Sequence, residues 1–213
     1  MSESTADRKP RPRNAQATKA ILLRAATAEF AAYGLAGARI DRIAERAGAN
    51  KRLLYVYFGD KIALFNAVVE EQTTAVMDAV PMGDGDLCAF AAARYDYVLA
   101  NPEAGRIAAW RSFEQVEPTP AEVAGFRQRV EAVTAAQREG RLRSDIPAVD
   151  LFAIVLRITE SWLSAPPALK SVSGATAAAP DHRLREHRGA MLAAVRSLVT
   201  PDPPAGSPAA HGS

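Results

Sequence analysis

An all-α fold is predicted by three observations. Apolar residues recur at three- and four-residue spacing in segment after segment, which is the period of one helix face. Gly, Pro and Asn-Pro steps punctuate those segments at helical lengths, with capping residues beside them. No stretch alternates apolar and polar residues as a half-buried strand would.

The elements follow in chain order. MSESTADRKPRPRN, residues 1–14, carries charge and proline without apolar periodicity, and is expected to be a disordered basic arm. The first helix opens at Asn14 or Thr18 and turns Ile21, Leu22, Ala25, Ala28 and Phe30 inward. Gly34 is its expected stop, because glycine accepts a left-handed cap. A short helix near 39–46 presents Ile40, Ile43, Ala44 and Ala47 to the core, and Gly48 ends it. Asn50 caps the next helix, near 50–57, by accepting a backbone N–H. Asp60 caps a longer one carrying Leu64, Phe65, Val68 and Val69. Beyond PMGDGD at 81–86, helices are expected near 86–100, 102–116, 119–139, 147–165 and 181–199, about nine in all. The stretch from Pro166 to Pro180 reads as a mobile loop, and 201–213 as a disordered tail.

Composition narrows the function classes. A chain of 213 residues holds one or two domains with a sizeable core. The single cysteine, Cys88, excludes an internal disulfide and a cysteine-based zinc site, which fits a reducing cytoplasm. The N-terminus does not look like a signal peptide, and apolar runs such as LFAIVL at 151–156 are too short to span a bilayer. The histidines are His182, His187 and His211, and no G-x-S-x-G elbow, phosphate-binding loop or H-E-x-x-H is present. No enzyme, cofactor or metal site is expected. Through Lys61 the chain has twelve Lys and Arg against six Asp and Glu; beyond it, fourteen against eighteen. A basic end on an acidic body suits a polyanionic partner, although chance gives such swings too.

GANKRLLYVYFGDK, from Gly48 to Lys61, sharpens this reading. Two short helices joined by a tight turn at Gly48-Ala49 make a helix-turn-helix, whose second helix enters the DNA major groove. Lys51 and Arg52 stand at its N-terminus, where cations neutralise phosphates and arginine also binds guanine O6 and N7. Tyr55 and Tyr57 pack a ring on protein while the hydroxyl reaches a phosphate, and Val56 meets a thymine methyl. Leu54 and Phe58, four apart, anchor the helix on its domain. Blander readings stand beside these: solvated charges for Lys51 and Arg52, interhelical packing for Tyr55. The arm from Arg8 to Arg13 either follows a groove or only solubilises.

AGARIDRIAERAGANKRLLYVYFGDKIALFNAVVEE resembles the DNA-binding domain of the tetracycline-repressor (TetR/AcrR) family of bacterial regulators. The resemblance rests on Ile43-Ala44, Ala47-Gly48, Asn50, Leu54-Tyr55, Phe58 and Lys61 with Leu64, and covers about residues 16–76. Two departures stand out. Where the family often has Thr or Ser before the second helix, this chain has Ala38-Arg39. Arg39 still reaches a phosphate, but the cap is lost, about 1 kcal/mol locally. Arg52-Leu53 replaces a pair that is small in many members. Lys61 resembles the family lysine that contacts the DNA backbone. The expected DNA-contacting set is therefore Arg39, Asn50, Lys51, Arg52, Tyr55, Val56, Tyr57 and Lys61.

The resemblance implies a DNA-binding domain at 15–77 and a regulatory and dimerisation domain at 78–200. Phe90, Arg94, Tyr97, Ile107, Trp110 and Phe113 either line a pocket for an unknown small-molecule effector or are ordinary core. Leu151, Val155, Ile158 and Trp162 form one stripe, and Leu192, Val195 and Val199 another beside small Gly189 and Ala193. Two such helices per subunit make a two-fold four-helix interface, although the same stripes also suit burial within one subunit. The implied function is a homodimeric repressor on a near-palindromic double-stranded operator, released by its effector. The alternative is a dimeric DNA-binding regulator that senses nothing.

Overall fold

The structure is a computed structural model and describes residues 12–114, 117–172 and 180–201. Among them are ten helices and no strand: α1 (Pro12–Gly37), α2 (Ile40–Ala47), α3 (Lys51–Phe58), α4 (Lys61–Ala79), α5 (Leu87–Ala100), α6 (Pro102–Glu114), α7 (Pro120–Arg138), α8 (Ala148–Ile158), α9 (Pro167–Val172) and α10 (Pro180–Val199). None is long and apolar enough to cross a membrane.

Three boundaries differ from expectation. Helix α1 begins at Pro12, inside the expected arm; Arg8 to Arg11 and the tail from 202 lie outside the described residues. Past Ile158 the chain tightens into three-residue turns, Glu160 N–H to Arg157 O at 3.2 Å and Ser161 N–H to Ile158 O at 3.1 Å, so α8 is shorter than 147–165. Part of the expected loop forms α9, which starts on Pro167. Proline suits a first helical position because its φ is preset, and Lys170 Nζ donates to Leu163 O at 3.0 Å.

The chain divides into two compact units, one up to Ala75 with Asn101–Thr119, the other Val76–Ala100 with the residues from Pro120 onward. Helix α6 thus joins the first unit. The core there comprises Leu22, Ala26, Phe30, Ile43, Leu54, Leu64, Phe65, Val68 and Ile107, with Phe30 and Phe65 edge to face at 5.0 Å. Of the residues expected on the inward face of α1, Leu22, Ala25 and Phe30 are buried and Ala28 is half-buried, while Ile21 is 42% exposed.

Gly34 kinks α1 with φ 65 and ψ −176. A Cβ there would lie 2.8 Å from Glu114 Oε1 and 2.9 Å from the Trp110 ring, so glycine is required by both conformation and space. Glu114 accepts the N–H groups of Leu35 (3.0 Å) and Ala36 (3.1 Å), and Trp110 Nε1 donates to Ala31 O at 3.3 Å. In this way α6 holds the corner at which α1 restarts.

In the second unit, Leu87, Phe90, Tyr95, Val133, Leu151, Phe152, Val155 and Val195 share one core. Arg129, 7% exposed, donates to Val80 O at 2.8 Å and Met77 O at 3.3 Å. These are carbonyls that the end of α4 leaves without an intrahelical partner.

Candidate nucleic-acid interface

The interface is built on α2, its turn and α3. Gly48 adopts the left-handed conformation (φ 59, ψ 33) that closes α2, its N–H bonding Glu45 O at 3.0 Å, and Ala49 N–H bonds Ala44 O at 3.0 Å. Asn50 is extended and its Oδ1 accepts the Arg52 N–H at 2.8 Å. That oxygen of Asn50 is therefore committed to capping α3.

A helix of 3.6 residues per turn then sorts the side chains of α3. Leu54, 2% exposed, sits in the core, with Leu53, Tyr57 and Phe58 half-buried beside it. Lys51, Arg52, Tyr55 (47% exposed) and Val56 (66%) fall on the opposite face. Tyr57, three positions after Leu54, packs its ring half-buried on the same face, as expected of the ring. Lys19 Nζ covers the Phe58 ring at 5.5 Å from its centre.

The charged members differ in their partners. Lys51 Nζ lies 2.7 Å from Asp41 Oδ1 on α2. This hydrogen bond raises the lysine above its usual range and lowers the aspartate below its own. Arg52 makes no side-chain ion pair or hydrogen bond among the described residues. Lys61 Nζ approaches Ala36 O (3.4 Å) and Ala38 O (3.3 Å), beside the corner preceding α2.

Arg39 occupies the N-cap of α2 and supplies no side-chain cap. A residue that the sequence reading missed takes over. Glu29 of α1, 1% exposed, accepts the Arg39 N–H at 3.0 Å and the Arg42 Nε–H at 2.7 Å, both on Oε1. Arg42 also donates to Gly37 O at 3.0 Å and lies 4.2 Å from the centre of the Tyr33 ring. A carboxylate beside a helix N-terminus meets unpaired N–H groups and the positive end of the helix dipole. The available signal was an acidic residue between Ala26 and Phe30 on the inward side of α1.

Of the expected pocket residues, Phe90, Arg94 and Tyr97 belong to the second unit and Ile107, Trp110 and Phe113 to the first. Phe90 packs on Phe152 at 5.2 Å between ring centres, and Tyr97 is half-buried. Arg94 pairs with Glu160 at 2.8 Å; burial holds its guanidinium below the ordinary range, against the pull of that carboxylate. Ile107 and Trp110 belong to the first unit through α1, and Phe113 is 80% exposed.

The stripes expected at a dimer interface divide between core and half-buried positions. Leu151, Val155, Val195 and Val199 are buried inside the protomer, where α5, α8 and α10 pack together. Ile158, Trp162 and Leu192 are half-buried, and Trp162 is covered by Arg183 at 4.2 Å. What α8 turns outward is Val149, Ile154 and a shallow apolar depression lined by Ala153, Ile154, Arg157, Ile158 and Ser161. On α10 the small residues Gly189, Ala190, Ala193 and Ala194 are exposed.

A capped recognition helix with an exposed cationic face, set against α1 and α2, defines a helix-turn-helix DNA-binding protein. Residues 22–68 match the family model for bacterial regulatory proteins of the tetR family, and residues 86–196 match the tetracyclin repressor-like C-terminal domain. The chain is 37% identical over 164 residues to the HTH-type transcriptional repressor SCO4008 of Streptomyces coelicolor, covering 75% of this chain and 85% of that one. It is 28% identical over 152 residues to the HTH-type transcriptional repressor NicS of Pseudomonas putida, covering 64% and 71%. The solved structure of SCO4942 from Streptomyces coelicolor, a proposed transcriptional regulator, superposes with a TM-score of 0.75 at 31% identity, over 85% of this chain and 98% of that one. The chain belongs to the TetR family and is a DNA-binding transcriptional regulator.

Proposed function

We propose that this regulator is a cytoplasmic homodimeric repressor whose two α3 helices engage the halves of a near-palindromic operator, and that a small-molecule effector releases it. The observation that carries the DNA half of this reading is the exposed face of α3, where Arg52, Tyr55 and Val56 stand clear of the core. Repression is supported by the two relatives named as repressors. Two heads on a palindrome call for two-fold pairing, and the outward apolar face of α8 beside the small residues of α10 is the surface we assign to it.

Release is a shift of population. An effector that prefers the conformation in which the heads do not fit the operator lowers operator affinity by its preference for that conformation. We assign its binding to the C-terminal unit and take its identity from experiment, as heat stabilisation of the purified protein by a compound library.

Fluorescence anisotropy against DNA from upstream of its own and neighbouring genes tests the reading. Selective binding that both Arg52→Ala and Tyr55→Phe weaken is the expected result. Equal binding to all sequences at physiological salt, with no selection from a genome-wide fragment pool, would overturn it.

A further inference from the structure

The four exposed side chains of α3 form two rows, because residues four apart stack along a helix. Lys51 and Tyr55 make one row, Arg52 and Val56 the other. The Lys51 row lies next to α2, since Lys51 Nζ reaches Asp41 Oδ1 of that helix at 2.7 Å. In a helix-turn-helix the first helix crosses the DNA backbone while the second lies in the groove. The row beside α2 therefore faces phosphates, and the row away from it faces base edges.

We infer that Arg52 and Val56 form the base-reading edge of α3 and select a guanine and a thymine about two base-pair steps apart in each half-site, while Lys51 and Tyr55 bind backbone only. The inference rests on the DNA-binding reading above. The free guanidinium of Arg52 presents the two parallel donors that guanine O6 and N7 accept. Val56 leaves an apolar side chain 66% exposed, and the apolar group that the major groove offers it is the thymine methyl. Four residues rise roughly 6 Å along a helix, which spans about two steps of 3.4 Å along DNA. Lys51, in contrast, is held by Asp41 at the α2 edge, where its charge meets phosphate without reading sequence.

Selection from a random-sequence duplex pool with the full-length protein, followed by binding isotherms over a salt series, tests this. The selected half-site is expected to contain the guanine and the thymine at that spacing. Arg52→Ala should weaken binding to it by roughly tenfold to a hundredfold and erase the preference at the guanine alone. Val56→Ala should erase the preference at the thymine and leave the guanine. Lys51→Ala should weaken all sequences alike and flatten the slope of log affinity against log salt by about 0.9 per head. All three side chains are exposed, so thermal unfolding should stay at the wild-type value. A selected site lacking that pair, or base preferences that change in Lys51→Ala and persist in Arg52→Ala, would overturn the inference and leave specific DNA binding standing. Selection of no sequence at all would remove both.

Discussion

Burying a carboxylate costs several kcal/mol unless hydrogen bonds or a counter-charge offset it, and Glu29 has both. Its Oε1 caps α2 and holds Arg42, while Oε2 has no hydrogen-bond partner among the described residues. Because Arg42 is 37% exposed and rehydrates if released, Glu29→Ala should cost about 2 kcal/mol rather than the larger figure for a fully buried pair. Urea unfolding measures this, and Glu29→Gln, which keeps an acceptor for the Arg39 N–H, should recover part of it. His187 is a second residue with a definite consequence. It lies 5.9 Å from the Tyr95 ring and 5.5 Å from the Trp162 ring, with Nε2 3.2 Å from Ser161 Oγ. Burial, and then the charge of Arg183, push its imidazole below the ordinary 6.5. As pH falls through 6.5 the unfolded chain takes up a proton that the folded one still refuses, so stability declines below that pH. His187→Gln should remove this part of the pH dependence of thermal unfolding and leave the behaviour above pH 7 unchanged.

At the level of elements, α8 presents one face to the protomer core and another, proposed to pair with a second copy, to the outside. Leu151 and Val155 are fully buried in the protomer, whereas Ile154 is 43% and Val149 55% exposed. Leu151→Ala should cost 2–5 kcal/mol in protomer stability through the cavity it opens, read by denaturant unfolding. Ile154→Asp should instead leave the protomer folded and convert the dimer to a monomer in sedimentation velocity. A dimer that survives this change would place the pairing surface elsewhere. The short elements of the DNA-binding unit were well marked in the chain, since Gly48, Asn50 and Asp60 each act within one turn. Glu29 was not legible, because its partner groups are ten and thirteen residues away and only the meeting of α1 with α2 brings them to it.

For the molecule as a whole, stability and assembly are linked if the folded protomers pair and the unfolded chains do not. A tenfold rise in protein concentration should then raise the melting temperature by roughly 1 to 3 °C in the wild type, and not in Ile154→Asp. Differential scanning fluorimetry over two decades of concentration checks this. The charge asymmetry belongs to this scale as well. The excess of Lys and Arg through Lys61 concentrates cations on the segment that includes α3, whereas Val76–Ala100 with the residues from Pro120 onward has twelve Lys and Arg against thirteen Asp and Glu and adds little attraction to DNA.

The all-α class and the helix-turn-helix with its caps were determined by the sequence alone. Periodicity, caps and left-handed glycines act over three to five residues, so the chain carries them locally. Tertiary structure decided the rest. An apolar stripe is equally suited to its own core and to a second copy, because the hydrophobic effect has no direction. Leu151 and Val155 became core because α5 and α10 cover them, and Ile154 became surface because among the described residues it is left 43% exposed. Ile107 and Trp110 pack against α1 because the kink at Gly34 admits α6 there, a proximity that no local spacing encodes.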